Sequence, residues 1–146
     1  MSVESNKALV RHWYEEIVNG RTDPAVFLAE LDKTMAPDLV DWDGPDPRNG
    51  KEAIRRAVPV LLKAVPDAFF TVEQLIGEGD LVAVRVRGQG THTGVLPGHA
   101  PTGKRISWTE NEIFRIANGQ IVESWGEGSL DEALAEIGFA FKGSQT

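Results

Sequence analysis

Glu123 and Trp125 stand two residues apart in Ile121-Val122-Glu123-Ser124-Trp125-Gly126, a run whose β-branched and aromatic residues read as a strand. Side chains alternate along a strand, so Ile121, Glu123, Trp125 and Glu127 are expected on one face. If that face is concave, Glu123 is a buried carboxylate beside a large aromatic. Burial raises a carboxyl pKa and suits it to moving a proton near neutral pH. A second set is Asp41-Trp42-Asp43, in which two carboxylates flank a pocket-wall Trp and can hold a water or a substrate oxygen. Plainer readings stand beside both. Glu123 can face solvent or pair with an Arg of a neighbouring strand, and the two Asp can solvate a loop and cap a turn.

Three histidines are scattered: His12 beside Trp13, His92 in Thr91-His92-Thr93-Gly94, and His99 in a Gly/Pro loop. They lack the i, i+4 spacing of a helical metal pair, and no Cys can complete a site, so no metal is expected. His92 reads as a strand residue hydrogen-bonded into the adjoining loop. Arg85, Arg87 and Gln89 alternate with Val82, Val84 and Val86, which is the pattern of a sheet with one solvated and one buried side. An Arg-lined pocket for an acidic ligand is the sharper alternative. No Ser lies in a nucleophile elbow and no Gly-rich loop precedes a helix, so neither serine hydrolysis nor nucleotide binding is supported.

The elements that must carry these residues follow from periodicity. Leu9, Val10, Trp13, Tyr14, Ile17 and Val18 recur at helical spacing up to Gly20. Asp23-Pro24 is an N-cap followed by proline at the first helical position, with Val26, Phe27, Leu28 and Leu31 on the buried side. Leu39 to Asp43 forms a short strand, and residues 44–50 a loop. Asn49 and Glu52 have capping-box spacing ahead of a stripe of Ile54, Val58, Leu61, Leu62 and Val65. Pro59 is expected to kink that helix and Pro66 to end it. Strands are expected at 69–76, 81–92, 104–117 and 120–127, with Asn118-Gly119 as a type I′ hairpin turn. Ser129 to Ile137 reads as a closing helix, and the chain is expected to fray after Lys142. Helices followed by a strand meander mean one α+β domain over 1–146.

Composition narrows the function. The formal charge of -7, with scattered basic residues, argues against nucleic acid and anionic membranes as partners. The absence of Cys excludes disulfides and thiolate chemistry. No secretory signal or stretch of about 18 apolar residues occurs, so a cytoplasmic protein is expected.

Taken in order, several segments resemble the SnoaL-like polyketide cyclases of the nuclear transport factor 2-like superfamily. They are Ala8 to Asn19, Ala36 to Asp43, Ala64-Val65-Pro66-Asp67, Gly79 to Arg85, Gly90 to Gly94, Pro101 to Lys104, and Glu112 to Ile116 through Ile121 to Trp125. The resemblance implies a cone: a curved antiparallel sheet with a mixed edge, wrapped over three N-terminal helices around an apolar cavity, in the manner of NTF2-like and cystatin-like α+β barrels. It implies ring closure by intramolecular aldol chemistry without a metal or cofactor, with Glu123 as the acid/base. A His often found on the neighbouring strand matches Thr109, or Trp108 if the strands are offset, and the His of the Val-Asp-x-Asp segment is replaced by Trp42.

The expected function is therefore cofactor-independent cyclisation or isomerisation of a polyketide-like or aromatic keto-ester. Trp13, Tyr14, Trp42, Trp108, Thr109 and Trp125 would line the pocket, with Asp41 or His92 orienting the substrate. Epoxide hydrolysis, needing Asp41 with Arg85 or Arg87, is a lesser alternative. A non-catalytic binding or dimerisation domain, its cone filled by Trp side chains, is the rival of another class. Either way a homodimer through the sheet face is expected.

Overall fold

Ser2 starts the first helix: its hydroxyl accepts the Ser5 N–H at 3.0 Å, while the Ser5 hydroxyl accepts the Ser2 N–H at 3.0 Å. The computed structural model describes residues 2–20, 23–95 and 98–138. Helix α1, Val3–His12, runs directly into a π-helical turn, Trp13–Val18, in which the Asn19 N–H reaches back five residues to the Tyr14 carbonyl. The wider turn swings Trp13, Tyr14, Ile17 and Val18 to one side, and all four are buried. Asn19 then grips the sheet edge, its amide donating to the Phe70 carbonyl and accepting the Phe70 N–H, each at 2.8 Å.

Asp23 caps α2 (Pro24–Thr34) as expected, its carboxylate accepting the Ala25 N–H at 2.8 Å. Strand β1, Met35–Asp41, begins before the expected 39–43 segment, and Trp42 and Asp43 lie just beyond it. The expected Asn49 cap does not form. Asp46 instead caps a 3₁₀ turn, Pro47–Asn49, which feeds straight into α3, Gly50–Ala64. Helix α3 passes through Pro59 as one element.

Strands β2 (Phe69–Glu78), β3 (Leu81–Thr91), β4 (Arg105–Ala117) and β5 (Gln120–Gly128) form an antiparallel meander. Asn118 and Gly119 have φ of 53° and 75°, the two left-handed residues that a type I′ turn demands. Strand β1 adds parallel to β5, giving the order β1-β5-β4-β3-β2. This five-stranded mixed sheet is open, with β1 and β2 as edges, so the barrel of the expected fold is not closed. Helix α4, Leu130–Glu136, packs on β4, completing among the described residues an α+β arrangement of four helices on a sheet.

The inner sheet face carries Val82, Val84 and Val86 of β3 and Ile106, Trp108, Phe114 and Ile116 of β4, all buried with Phe70, Trp13, Tyr14 and Phe27 from the other elements. Aromatic rings therefore fill much of the cone. Trp108 packs edge-on to Phe70, with centroids 5.6 Å apart, and lies over its cross-strand partner Gly88. A methyl at Gly88 would fall on the indole ring. Gly88→Ala is therefore expected to cost about 1–3 kcal/mol by overpacking, read as a lower urea midpoint with an unchanged slope.

Candidate active site

One extra residue in β5 decides which side chains face inward. Ile116 pairs with Ile121, but Arg115 pairs with Glu123, so the strand bulges at Val122 and its alternation slips. Ile121 and Ser124 are buried on the inner face, whereas Glu123 pairs with outward-facing Arg115. The expectation that Ile121, Glu123 and Trp125 share a concave face is thus corrected. Glu123 accepts the Arg115 Nε–H at 2.9 Å and the Trp42 indole N–H at 2.7 Å. These two bonds, the Trp42 one foremost, hold its carboxyl below the usual range rather than above it. It is an ionised outer-face group, in the Arg-paired arrangement that the plainer reading described.

Other expected wall residues part company in the same way. Trp42 and Trp125 are exposed on the outer side at 51% and 36%. Trp13 packs against Phe27 and Tyr14 against Phe70 within the core. Thr109 anchors the start of α4, its N–H donating to the Ser129 hydroxyl and its carbonyl accepting the Ser129 N–H. His92 is fully buried and bonded through Nδ1 to Thr102, as its loop-bonded reading had it. It lies six residues along β3 and beyond from Val86, the cross-strand partner of Glu110, roughly 20 Å away. Arg85 and Arg87 both pair outward with Glu73, on the opposite face from Asp41. The Asp–Arg cluster of an epoxide hydrolase is not assembled.

The inner face brings different carboxylates together. Glu110 and Glu112 share the parity of Ile106, Trp108, Phe114 and Ile116 along β4, a signal in the sequence that marks them as inward-facing. They line a polar cavity of about 500 Å³ with Asp43, Gly126, Gly128, Leu130 and Asp131. An apolar cavity of about 530 Å³ adjoins it, lined by Asp41 and by Ile54, Ala57, Val58 and Leu61 of α3, and shares Asp43, Leu130 and Asp131 with it. Both volumes suit a small ligand. The apolar face of α3 supplies one wall because Ile54, Val58 and Val60 are only partly buried.

Burial pushes the Glu110 carboxyl above its usual range; the Trp108 indole bond at 2.9 Å opposes this and the Asp43 charge adds to it. Glu110 keeps some exposed area although protein surrounds nearly all of it, because its open side is the cavity. It has no cationic partner among the described residues. Asp43 accepts the Gly126 N–H at 2.8 Å, and Asp41 accepts the Ser124 hydroxyl at 3.2 Å, so both are oriented by β5. The Tyr14 phenol is held well above its ordinary pKa by burial, then by the charges of Glu112 and Glu110, and stays a neutral hydroxyl. Among the described residues, no three His, Asp or Glu side chains are arranged to hold a metal ion.

The family model for SnoaL-like polyketide cyclases matches residues 8–135. The chain belongs to that family. As a SnoaL-like protein it is similar to AclR of Streptomyces galilaeus, a candidate hydroxylase, at 29% identity over 94% of this chain and 83% of that one, with a TM-score of 0.77. IdmH of Streptomyces antibioticus, a candidate polyketide cyclase, is 27% identical over 92% and 99% of the two chains, with a TM-score of 0.69. TsrD of Streptomyces laurentii is also 27% identical, over 97% and 99%, with a TM-score of 0.71. Among curated proteins, none is significantly similar. No helix of the described residues is long and apolar enough to cross a membrane.

The opposite pKa directions make opposite predictions for this SnoaL-like chain. Glu110, raised above 4.5, favours the fold while protonated; its contribution is complete below that value and is lost as pH rises through the raised one. Glu110→Gln should therefore melt higher than wild type at about pH 8, with the gap closing toward about pH 4. Glu123, lowered from 4.5, contributes above that value and loses its contribution as pH falls through the lowered one. Glu123→Gln should melt lower than wild type at neutral pH, converging in acid. Thermal melts across this range check both signs.

Proposed function

We propose that this SnoaL-like chain is a cofactor-independent acid/base enzyme that cyclises or isomerises a polyketide-like or aromatic keto-ester in the cleft between α3 and the sheet. The observation that carries the reading is Glu110, an inward carboxylate with no cationic partner among the described residues, on the wall of a ligand-sized cavity that continues into an apolar one. An apolar cleft receives the flat body of the substrate. A carboxyl whose pKa burial has raised can then take part in the proton transfers at a dicarbonyl unit, whose central carbon is already acidic. Asp41, at the edge of the apolar cavity, is the orienting residue in this reading. The family description and the name of IdmH support a small polyketide-like molecule as the ligand class.

The non-catalytic rival draws on the aromatic filling of the cone, where Trp13, Tyr14, Phe70 and Trp108 occupy the space deep among the helices. The open cleft beside α3 favours the enzyme. We propose also that two copies meet through the outer sheet face, where Ile76, Leu81, Ile113 and Trp125 are exposed. Sedimentation of wild type against Ile113→Lys tests this, and a monomeric wild type removes it.

The functional test uses methyl 3-oxo-3-(2-naphthyl)propanoate. At 100 times its dissociation constant this probe should stabilise wild type by about 2.7 kcal/mol. Proton NMR in D₂O should show exchange at the carbon between its carbonyls. Glu110→Gln should retain binding and lose exchange by about 10²-fold or more, whereas Glu123→Gln should retain both. Equal exchange by wild type and Glu110→Gln would remove Glu110 from the chemistry.

A further inference from the structure

Glu110 and Glu112 stand across the β4–β5 ladder from Gly128 and Gly126. The motif is therefore Glu110-Asn111-Glu112 facing Gly126-Glu127-Gly128, two inward carboxylates opposite two residues without side chains. The Glu112 carboxyl lies against Gly126 in the space a Cβ would take, and the Glu110 side chain lies beside Gly128. The bare stretch of β5 leaves both acids facing the same cavity. Two residues on one strand face are about 6.7 Å apart at Cα, so both side chains rise from neighbouring points of one cavity wall.

We propose that Glu112 is the second catalytic residue of this site, the base that removes the carbon proton while Glu110 serves as the acid. This rests on the acid/base reading above and assigns its two halves. Glu112 takes the proton from the carbon between two carbonyls: the C–H bond breaks, an O–H bond forms on Glu112, and the electron pair becomes the C=C of the enol. Glu110 gives its proton to the carbonyl oxygen that receives the charge. For ring closure, the enol carbon attacks a second carbonyl of the same molecule. Glu112 returns its proton to the new alkoxide and the enol hydroxyl returns its proton to Glu110. Both residues end as they began, and no oxidant or reductant is consumed.

Two further observations support the assignment. The pKa of the buried Tyr14 phenol is raised first by burial and then by the charges of Glu112 and Glu110. Asp43 clamps the Gly126 N–H, fixing the glycine over which Glu112 lies. The titratable groups around the pair are Tyr14 from the π-helical turn, Asp43 after β1, Glu127 of β5 and Asp131 of α4.

The test is the pH profile of exchange at the same naphthyl keto-ester, with probe affinity measured in parallel by quenching of Trp fluorescence. Wild type should show a rate that rises and then falls with pH. Glu112→Gln should lose about 10²-fold or more and the rising limb, with affinity unchanged; Glu110→Gln should lose the falling limb. Gly126→Ala, which crowds the Glu112 carboxyl, should slow exchange while keeping both limbs. Should Glu112→Gln fail to fold, Glu112→Asp keeps the charge, and its expected result is a slower rate with the rising limb retained. Wild-type rate and profile in the Glu112 variant, alongside loss in Glu110→Gln, overturn the role of Glu112 and leave the enzyme reading standing. Wild type no faster than buffer, or no loss in either variant, overturns both.

Discussion

The hydrogen bond from the Trp108 indole to Glu110 joins the core to the cavity, and a series of contacts converges on it. The π-helical turn delivers Asn19 to the edge of β2, where its amide fixes both polar groups of the Phe70 backbone. Phe70 so held stands at 74° to the Trp108 ring. Gly88, with no side chain, lets that ring lie flat across β3. The indole N–H then has one direction left, toward Glu110. A local widening of the first helix is thus connected, contact by contact, to the placement of a carboxylate on the far strand.

The two faces of the sheet treat charge differently. Outside, Glu73 is shared by Arg85 and Arg87, and Glu123 by Arg115 and Trp42, in partly exposed pairs where water and salt screen the attraction. Inside, Glu110 has an indole N–H and low-dielectric surroundings. A carboxylate in the first setting stays ionised and serves the fold. In the second, ionisation is costly, and the protonated and ionised forms are brought closer in energy, which is the condition for proton transfer.

Much of this was legible from residue order. The Asp23-Pro24 helix start, the Asn118-Gly119 turn, the helix-then-meander sequence and the solvated side of β3 with its Arg85 and Arg87 each follow from local chemistry, and the structure contains all of them. What periodicity could not show were departures from periodicity. A π turn and a one-residue bulge both keep the residue types and shift the phase, and phase decides which face a side chain occupies. Glu123 was misplaced for that reason, while Glu110 and Glu112, on the regular strand β4, have the parity that alternation assigns. Asn49 illustrates a second limit: its side chain makes no cap bond and Asp46 caps the preceding 3₁₀ turn instead, an outcome of the loop path that short-range patterns do not encode.

The bulge at Val122 has a consequence for the open space itself. On a regular β5 the inward positions beyond Ile121 would be Glu123, Trp125 and Glu127, and the indole of Trp125 would sit where the ligand is to go. The single additional residue rotates that row to the outside and turns Ser124, Gly126 and Gly128 inward. The hollow of this domain is thus made by a counting error in one strand. Loss of that bulge by re-pairing, with Val122 in place of Glu123 opposite Arg115, would exchange a vacant interior for a plugged one without altering a single residue of the chain.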